Sequence, residues 1–346
     1  GMESSQAAFL PGADPENYEA LAWQQRLLLA SAGGLLLGLL FQFVSRAPLR
    51  VGMIHVLERL AYNEGNMPLK NLVMQFAGAS AALIAGLSVG REGPAVHLGA
   101  GTASLMGQYL HLPNNSIRTL VGCGAAAAIA ASFNTPLAGV IFAMEVILME
   151  YTITGFTPVI LSAVSATVVS RLVFEVDPII SAGSLELASF MELPVIVLMG
   201  ILIGAIAASF IRLTSLFTRW GQRFPIWFRM TLAGIGVGLI ACLSPAIMGV
   251  GYDSVNAVIL GEIGVMLIVL ILLTKLVATA LCVGFSIPAG LIGPVIFIGA
   301  MAGGVIGKLA GLISPDLSDA GLYAMLGMGA MMSATLQAPL AALLAV

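Results

Sequence analysis

The chain has 346 residues, of which 59% are hydrophobic and only 9% are charged, and its mean hydropathy is +1.03. Soluble domains carry about 25% charged residues, so this composition excludes an ordinary soluble protein and favours lipid as the solvent. The formal net charge is −3, and the three cysteines show no metal-ligand spacing and no disulfide framework. We therefore expect no metal site, no cofactor and no nucleic-acid partner.

A polar tail, residues 1–23, precedes the apolar sequence. Residues 2–20 are polar and acidic, so we expect no signal peptide at this end. At the other end Val346 lies inside an apolar run. We expect the natural protein to continue beyond it.

Seven apolar stretches are long enough to cross a bilayer as helices, since a crossing needs about 20 apolar residues. In chain order they are 27–44, 71–89, 155–174, 193–211, 227–248, 263–282 and 288–312. Two further apolar stretches, 119–133 and 136–149, are short for a full crossing. The pattern predicts an all-α polytopic protein whose solvent is the lipid bilayer.

The charges between the spans predict an orientation. Segment 212–229 carries four arginines and no acid, whereas 175–192 carries four acids and no base. Because positively charged loops stay in the cytoplasm, the arginine-rich segment is predicted to be cytoplasmic and the acidic loop, 176–191, external. The single span 193–211 separates the two, so the assignments agree.

An internal repeat divides the chain into two halves. The frame G-x-x-G-P occurs at 90–94 and again 200 residues later at 290–294, and a second shared block follows each copy. These blocks are Gly122–Ala125 with Pro136–Ala138, and Gly327–Ala330 with Pro339–Ala341. Repeats of this size predict a transporter with two halves related by pseudo-two-fold symmetry, here 24–175 and 192–346, the second incomplete at its end.

The repeated glycine and proline breaks indicate a substrate site. In lipid, irregular backbone survives only where protein or a water-filled cavity satisfies its polar groups. Two helix starts that converge on one point offer free N–H groups and positive dipole ends, which together bind anions. A packing role, as in Gly34-x-x-x-Gly38, is the alternative for a single frame. Two frames in register favour the anion site.

Arg91 and Glu92 lie in the first frame, between apolar segments. An ionisable residue at membrane depth is costly and is a candidate functional residue. The Glu92 carboxylate can compete with the anion for the same N–H groups, and protonation would release it. Glu92 is therefore predicted to be a gate or a proton carrier, with a structural Arg91–Glu92 pair as the alternative.

Three other ionisable residues lie in apolar sequence. Glu145 is a candidate structural acid that caps or pairs with a neighbouring helix, or else a member of a proton path. His97 is a candidate proton relay or a packed histidine. Lys275 is a candidate structural counter-ion or an electrostatic attractor for anions.

One motif suggests an enzyme. Gly86–Gly90 fits the G-x-S-x-G pattern around Ser88, which requires a strand–turn–helix context and a nearby base. Here it lies in an apolar run interpreted as helical, and the chain has only three histidines. We expect no catalytic residue and no enzyme, and a membrane-embedded hydrolase using Ser88 remains a remote alternative.

The chain resembles a bacterial member of the CLC family of chloride channels and proton-coupled chloride transporters. The segments that carry the resemblance are Gly90-Arg91-Glu92-Gly93-Pro94, Phe133-Asn134-Thr135-Pro136-Leu137-Ala138-Gly139 and Pro288-Ala289-Gly290-Leu291-Ile292-Gly293-Pro294. The resemblance implies two inverted repeats of tilted and broken helices. It further implies a homodimer in the bacterial inner (plasma) membrane, with a chloride pore in each subunit and Glu92 as the gating glutamate. It also implies that backbone N–H groups at Arg91, Glu92, Gly93, Leu291 and Ile292 bind the anion.

Three positions depart from the family pattern. Segment 50–54 lacks the serine that faces the central anion, and Ile292 stands where phenylalanine is usual. Val146 stands where proton-coupled members commonly carry a glutamate, and Glu145 matches the preceding acid. Because this valine resembles channel-type members, passive conduction gated by Glu92 is slightly favoured, with proton–chloride antiport as the alternative and an inactive, incomplete scaffold as a third interpretation.

Overall fold

The computed structural model describes residues 18–44, 51–174, 192–313 and 319–345. The acidic loop 176–191 and residues 1–17 of the polar tail lie outside these ranges. The described residues form 14 α-helices and no named strand. In chain order they are α1 Trp23–Val44, α2 Met53–Tyr62, α3 Leu69–Ile84, α4 Glu92–Tyr109, α5 Asn114–Phe133, α6 Pro136–Phe142, α7 Ile153–Phe174, α8 Leu193–Gly221, α9 Ile226–Leu243, α10 Tyr252–Ile259, α11 Val265–Gly284, α12 Ile292–Ile313, α13 Ala320–Leu336 and α14 Pro339–Ala345.

Seven of these helices, α1, α5, α7, α8, α9, α11 and α12, are long and apolar enough to cross a membrane. The chain is therefore an integral, multi-pass membrane protein. The prediction for 71–89 is wrong in length, because α3 ends at Ile84, where Gly86 adopts φ +64° and turns the chain. The stretch 119–133 belongs to a longer helix than predicted, since α5 begins at Asn114 and has 20 residues.

Helix α8 also differs from its prediction. It runs to Gly221, 29 residues in all, whereas the sequence predicted a span of 193–211. At 1.5 Å per residue its length is about 44 Å, which exceeds the hydrocarbon thickness of about 30 Å. Arg212 and Arg219 therefore lie on the last turns of this helix rather than in a loop.

The two halves repeat in backbone detail. Gly86 and Ser286 both have φ +64°, at the turns that follow α3 and α11. The next residues bond back in the same way, from Leu87 N–H to the Ala82 carbonyl (3.1 Å) and from Ile287 N–H to the Cys282 carbonyl (3.0 Å). The chain then pairs with its own repeat through an antiparallel bridge between Gly90 and Gly290. The predicted all-α fold with two inverted repeats is confirmed.

Matching helix pairs pack through glycine in each half. Helix α4 contacts α5 where Gly99 meets the Gly124 carbonyl, and α12 contacts α13 where Gly299 meets the Gly327 carbonyl. A Cβ at either glycine would collide with backbone, so the close approach requires its absence. These contacts fix the directions of α4 and α12, whose N-termini carry the candidate site.

Candidate anion site

The site lies where two helices begin next to each other. Helix α4 begins at Glu92 and α12 begins at Ile292. Just before them, Gly90 and Gly290 exchange N–H to carbonyl hydrogen bonds of 2.8 Å in both directions. The bridge brings the positive ends of two helix dipoles together, as the repeat predicted.

The Glu92 carboxylate lies at the N-terminus of the opposite helix. Its Oε2 accepts a hydrogen bond from the Gly293 N–H at 3.1 Å, and its Oε1 accepts one from the Tyr252 hydroxyl at 2.7 Å. The side chain is only 1% exposed. A carboxylate in this place occupies a position that suits a free anion, because backbone N–H groups and a helix dipole converge there.

Arg91 contacts the tyrosine that binds Glu92. Its guanidinium carbon lies 5.8 Å from the centroid of the Tyr252 ring, within the range of a cation–π contact. The described hydrogen bonds of the Glu92 carboxylate go to Tyr252 and Gly293. The Arg91 guanidinium therefore places a positive charge next to the site, and it contacts the Tyr252 ring whose hydroxyl binds Glu92.

The other residues predicted to bind the anion cluster at the same bridge. Gly93 approaches Gly290 so closely that a Cβ on Gly290 would lie 2.5 Å from the Gly93 nitrogen. Leu291 follows Gly290 directly, and Ile292, which is fully buried, opens α12. The structure thus brings together all five predicted residues, and their role in anion binding stays a prediction.

Lys275 fixes the loop that leads to Tyr252. This residue of α11 is fully buried, and its ammonium group donates to the carbonyls of Ile247 (3.0 Å), Gly249 (2.9 Å) and Val250 (3.3 Å). The ammonium also lies 4.6 Å from the centroid of the Phe297 ring on α12. Three carbonyl dipoles and an aromatic face offset the cost of burying this charge. Attraction of anions by Lys275 stays a prediction.

Glu145 binds α14, the last of the described helices. Helix α6 continues as a π-helical segment, Ala143–Leu148, that contains Glu145. Its carboxylate accepts hydrogen bonds from the Leu340 N–H at 3.2 Å and the Ala341 N–H at 2.8 Å. These are N–H groups of the first turn of α14, so the geometry is that of a helix cap.

His97 contacts a second histidine rather than Glu92. Its Nε2 lies 2.9 Å from Nδ1 of His55 on α2, and both side chains are buried. His55 Nε2 in turn accepts a hydrogen bond from Arg59 Nε at 3.2 Å. The offset of five positions between Glu92 and His97 places their side chains on different faces of α4.

Ser88 lies in a turn and not in a helix, which corrects the interpretation of 86–90 as part of a helical run. Its hydroxyl is fully buried and lies 3.0 Å from the hydroxyl of Thr279 on α11. Helix α3 ends at Ile84, before Ser88, because Gly86 adopts a positive φ. The hydroxyl pair accounts for the burial of Ser88.

Tyr252 was not predicted from the sequence. The repeat contained a signal for it, because α2 begins at Met53 after Gly52 (φ +85°) and α10 begins at Tyr252 after Gly251 (φ +82°). The segment 50–54 was noted only for lacking the serine that faces the central anion in the family, and its counterpart in the second half is the segment that carries Tyr252. Of 50–54, Arg50 lies outside the described residues, and the remainder provides no hydroxyl side chain.

Comparison with known proteins identifies the family. Residues 33–346 match the profile of the family described as voltage gated chloride channel. The chain belongs to this family. Among the residues that the structure describes, no group of three or more histidines, cysteines or acids could hold a metal ion.

Individual relatives agree with this assignment. A protein from Ralstonia nicotianae named as ClcB-like, a chloride channel protein, is 31% identical over 97% of this chain and 81% of its own length. The H(+)/Cl(−) exchange transporter ClcA of Vibrio cholerae is 30% identical over 80% of this chain, and the match spans 61% of its own length. The crystal structure of a slow cyanobacterial Cl−/H+ antiporter superposes with a TM-score of 0.83 over 99% of this chain and 80% of the antiporter, at 23% identity. The similarity to the antiporter structure supports the assignment of the fold.

Proposed function

We propose that this protein exchanges chloride for protons across the bacterial inner membrane, through a pathway in each subunit that is gated by Glu92. The observation that carries the proposal is the position of the Glu92 carboxylate at the N-terminus of α12, bonded to the Gly293 N–H. A carboxylate and a chloride ion require the same donors. Either one can therefore fill the site, but not both at once.

The mechanism follows from this competition and needs no covalent step. Chloride sheds its water and is bound by backbone N–H groups near Gly93, Leu291 and Ile292, where the dipoles of α4 and α12 converge. An ionised Glu92 displaces it. Protonation removes the charge of the carboxyl group, so the side chain leaves the donors and chloride takes its place. A proton carried on Glu92 is thus linked to the movement of chloride.

Exchange is favoured over passive conduction. The ClcA relatives are named as proton–chloride exchangers, and these names give no support to the preference for passive conduction drawn from Val146. Passive conduction is the second candidate, because Val146 is a buried apolar residue that provides no carboxyl group next to Glu145. We also propose a homodimer with chloride and protons as the transported ions, on the basis of the family.

The deciding experiment measures chloride and proton flux together in liposomes that contain the full-length protein under an imposed chloride gradient. Exchange predicts uphill proton movement driven by chloride. Chloride flux without proton movement would instead establish the passive pathway. Replacing chloride by fluoride, bromide or nitrate in the same assay measures the anion preference.

Glu92→Gln tests the gate in the same assay. Glutamine cannot carry the proton, so proton movement and the pH response of chloride flux should disappear while chloride flux persists. Glu262→Gln, at an exposed position, is the matched control and should leave both fluxes unchanged. Retention of the full pH response by Glu92→Gln would contradict the assignment of the gate.

A further inference from the structure

The Glu92 carboxylate has a second hydrogen-bond donor that the family resemblance does not assign. The Tyr252 hydroxyl donates to Oε1 at 2.7 Å, which is shorter than the 3.1 Å bond from the Gly293 N–H to Oε2. Hydrogen bonds to an ionised group are roughly twice as strong as neutral ones. Tyr252 therefore contributes to holding Glu92 in the anion site.

The tyrosine is fixed by contacts that do not involve Glu92. Gly251, with φ +82°, turns the chain into α10, so that Tyr252 is the first residue of the helix. The loop in front of it is bound through three carbonyls by the buried ammonium of Lys275. The Arg91 guanidinium covers the ring at 5.8 Å. Loop, helix start and ring are thus placed before the carboxylate arrives, and the hydroxyl is preorganised to receive it.

The segment that carries Tyr252 borders a cavity. A cavity of about 450 Å³ is lined by the residues on either side of Tyr252, Gly251 and Asp253, and also by Tyr18 and Glu19. Tyr252 itself contacts the buried Glu92 carboxylate through its hydroxyl. The hydroxyl therefore contacts the proposed gating carboxylate directly, while the residues beside Tyr252 face open space.

We propose that Tyr252 is a latch for Glu92: a positioning residue whose hydroxyl holds the ionised carboxylate in the anion site and so sets how much chloride is needed to displace it. The inference rests on the proposed function of Glu92. It adds the residue that sets the balance between the Glu92 carboxylate and chloride for the same donors. Removing the hydroxyl weakens the binding of the Glu92 carboxylate in the anion site. The backbone N–H groups that would bind chloride there stay intact. Chloride then competes better for the same site.

The test compares Tyr252→Phe with the parent in the full-length protein, with initial chloride flux measured in liposomes against chloride concentration. Phenylalanine keeps the ring under Arg91 and removes only the hydroxyl. Loss of a hydrogen bond to a charged group corresponds to a factor on the order of ten in an equilibrium constant. The half-saturating chloride concentration should fall by about tenfold, while the maximal flux changes much less.

Two further variants separate a latch from a structural residue. Incorporation of 3-fluorotyrosine at position 252 makes the hydroxyl a stronger donor and should raise the half-saturating chloride concentration, which tests the latch even where Tyr252→Phe folds poorly. Tyr323→Phe is the control, because Tyr323 also donates to a buried carboxylate, that of Glu192, at 3.0 Å. It should leave the chloride dependence unchanged.

The background variant Glu92→Ala distinguishes failure of the latch from failure of the gate. If both proposals hold, Glu92→Ala lowers the half-saturating chloride concentration by itself, and Tyr252→Phe has no further effect in that background. An equal effect of Tyr252→Phe with and without Glu92, or no effect in the parent, would overturn the latch alone. A Glu92→Ala protein with the chloride and pH dependence of the parent would overturn the gate and the latch with it.

Discussion

Gly90 and Gly290 are each the other's hydrogen-bond donor and acceptor, at 2.8 Å in both directions. They occupy equivalent positions in the two halves, and their pairing is antiparallel. Antiparallel pairing of equivalent residues is what a two-fold axis between inverted repeats produces. The bridge thus lies on the pseudo-two-fold axis that relates the two halves. It also joins the N-terminus of α4, which carries Glu92, to the N-terminus of α12, which binds the Glu92 carboxylate.

The first prediction concerns the space at this bridge. Gly290→Ala would place a Cβ 2.5 Å from the Gly93 nitrogen and 2.9 Å from the Gly90 oxygen. Backbone atoms cannot rotate away as a side chain can, so the bridge must open. We expect Gly290→Ala to lose about 1–3 kcal/mol of stability and most of its chloride flux, as measured by thermal unfolding in detergent and by liposome flux.

Gly264→Ala is the control for this prediction. A Cβ there would meet nothing within 4 Å, and Gly264 has φ −70°, which alanine adopts readily. Alanine is a poorer N-cap than glycine, so we expect a loss of about 1 kcal/mol or less and normal flux. A Gly290→Ala protein as stable and active as the Gly264→Ala protein would show that the bridge does not determine the site.

Much of the fold could be predicted from the sequence because the internal repeat contains glycines at positions where no other residue fits. Glycine is required at 90 and 290 by close backbone contact, so both copies keep it and the repeat is visible. Helix boundaries were less predictable. The stretch 71–89 reads as one apolar run, and only the positive φ of Gly86 divides it into α3 and the turn that contains Ser88.

The candidate site was predicted in part for a similar reason. Glu92 is conspicuous as an acid within apolar sequence. Tyr252 is not, because tyrosine in an apolar region is ordinarily a packing residue and its partner lies 160 positions earlier in the chain. The partners of Lys275 are backbone carbonyls, which no side-chain pattern reveals.

The second prediction concerns Lys275. Lys275→Met keeps the apolar stem but leaves the carbonyls of Ile247, Gly249 and Val250 without this donor. Each unsatisfied buried acceptor costs about 1–3 kcal/mol, so we expect a large fall in the unfolding temperature in detergent. The loop before Tyr252 should loosen as well, which would lower the half-saturating chloride concentration as Tyr252→Phe does.

Lys308→Met is the matched control. Lys308 donates to one carbonyl, that of Gly261, at 2.8 Å and at the surface, where water can replace it. We expect little change in either stability or flux. Equal losses from the two lysine variants would contradict the structural role of Lys275.

The third prediction concerns Ser88. Ser88→Ala removes one hydroxyl of the buried pair with Thr279 and leaves the other without this partner, which should cost about 1 kcal/mol of stability. Transport involves no nucleophile, so chloride flux should persist in the liposome assay. An activity of the parent towards ester or amide substrates that Ser88→Ala abolished would revive the hydrolase alternative.

The fourth prediction separates the two roles left open for Glu145. Its carboxylate accepts from the N–H groups of Leu340 and Ala341, so Glu145→Ala should lose about 0.5–2 kcal/mol as a helix cap is removed. Glu145→Gln keeps an acceptor oxygen for one of the two N–H groups and should lose less than the alanine variant, although the second hydrogen bond and the interaction of the charge with the helix dipole are removed. If Glu145 is a cap alone, the glutamine variant should retain the proton-to-chloride ratio of the parent in paired flux measurements. A glutamine variant that is stable and moves chloride but not protons would place Glu145 on the proton path, where it would provide the carboxyl group that Val146 does not.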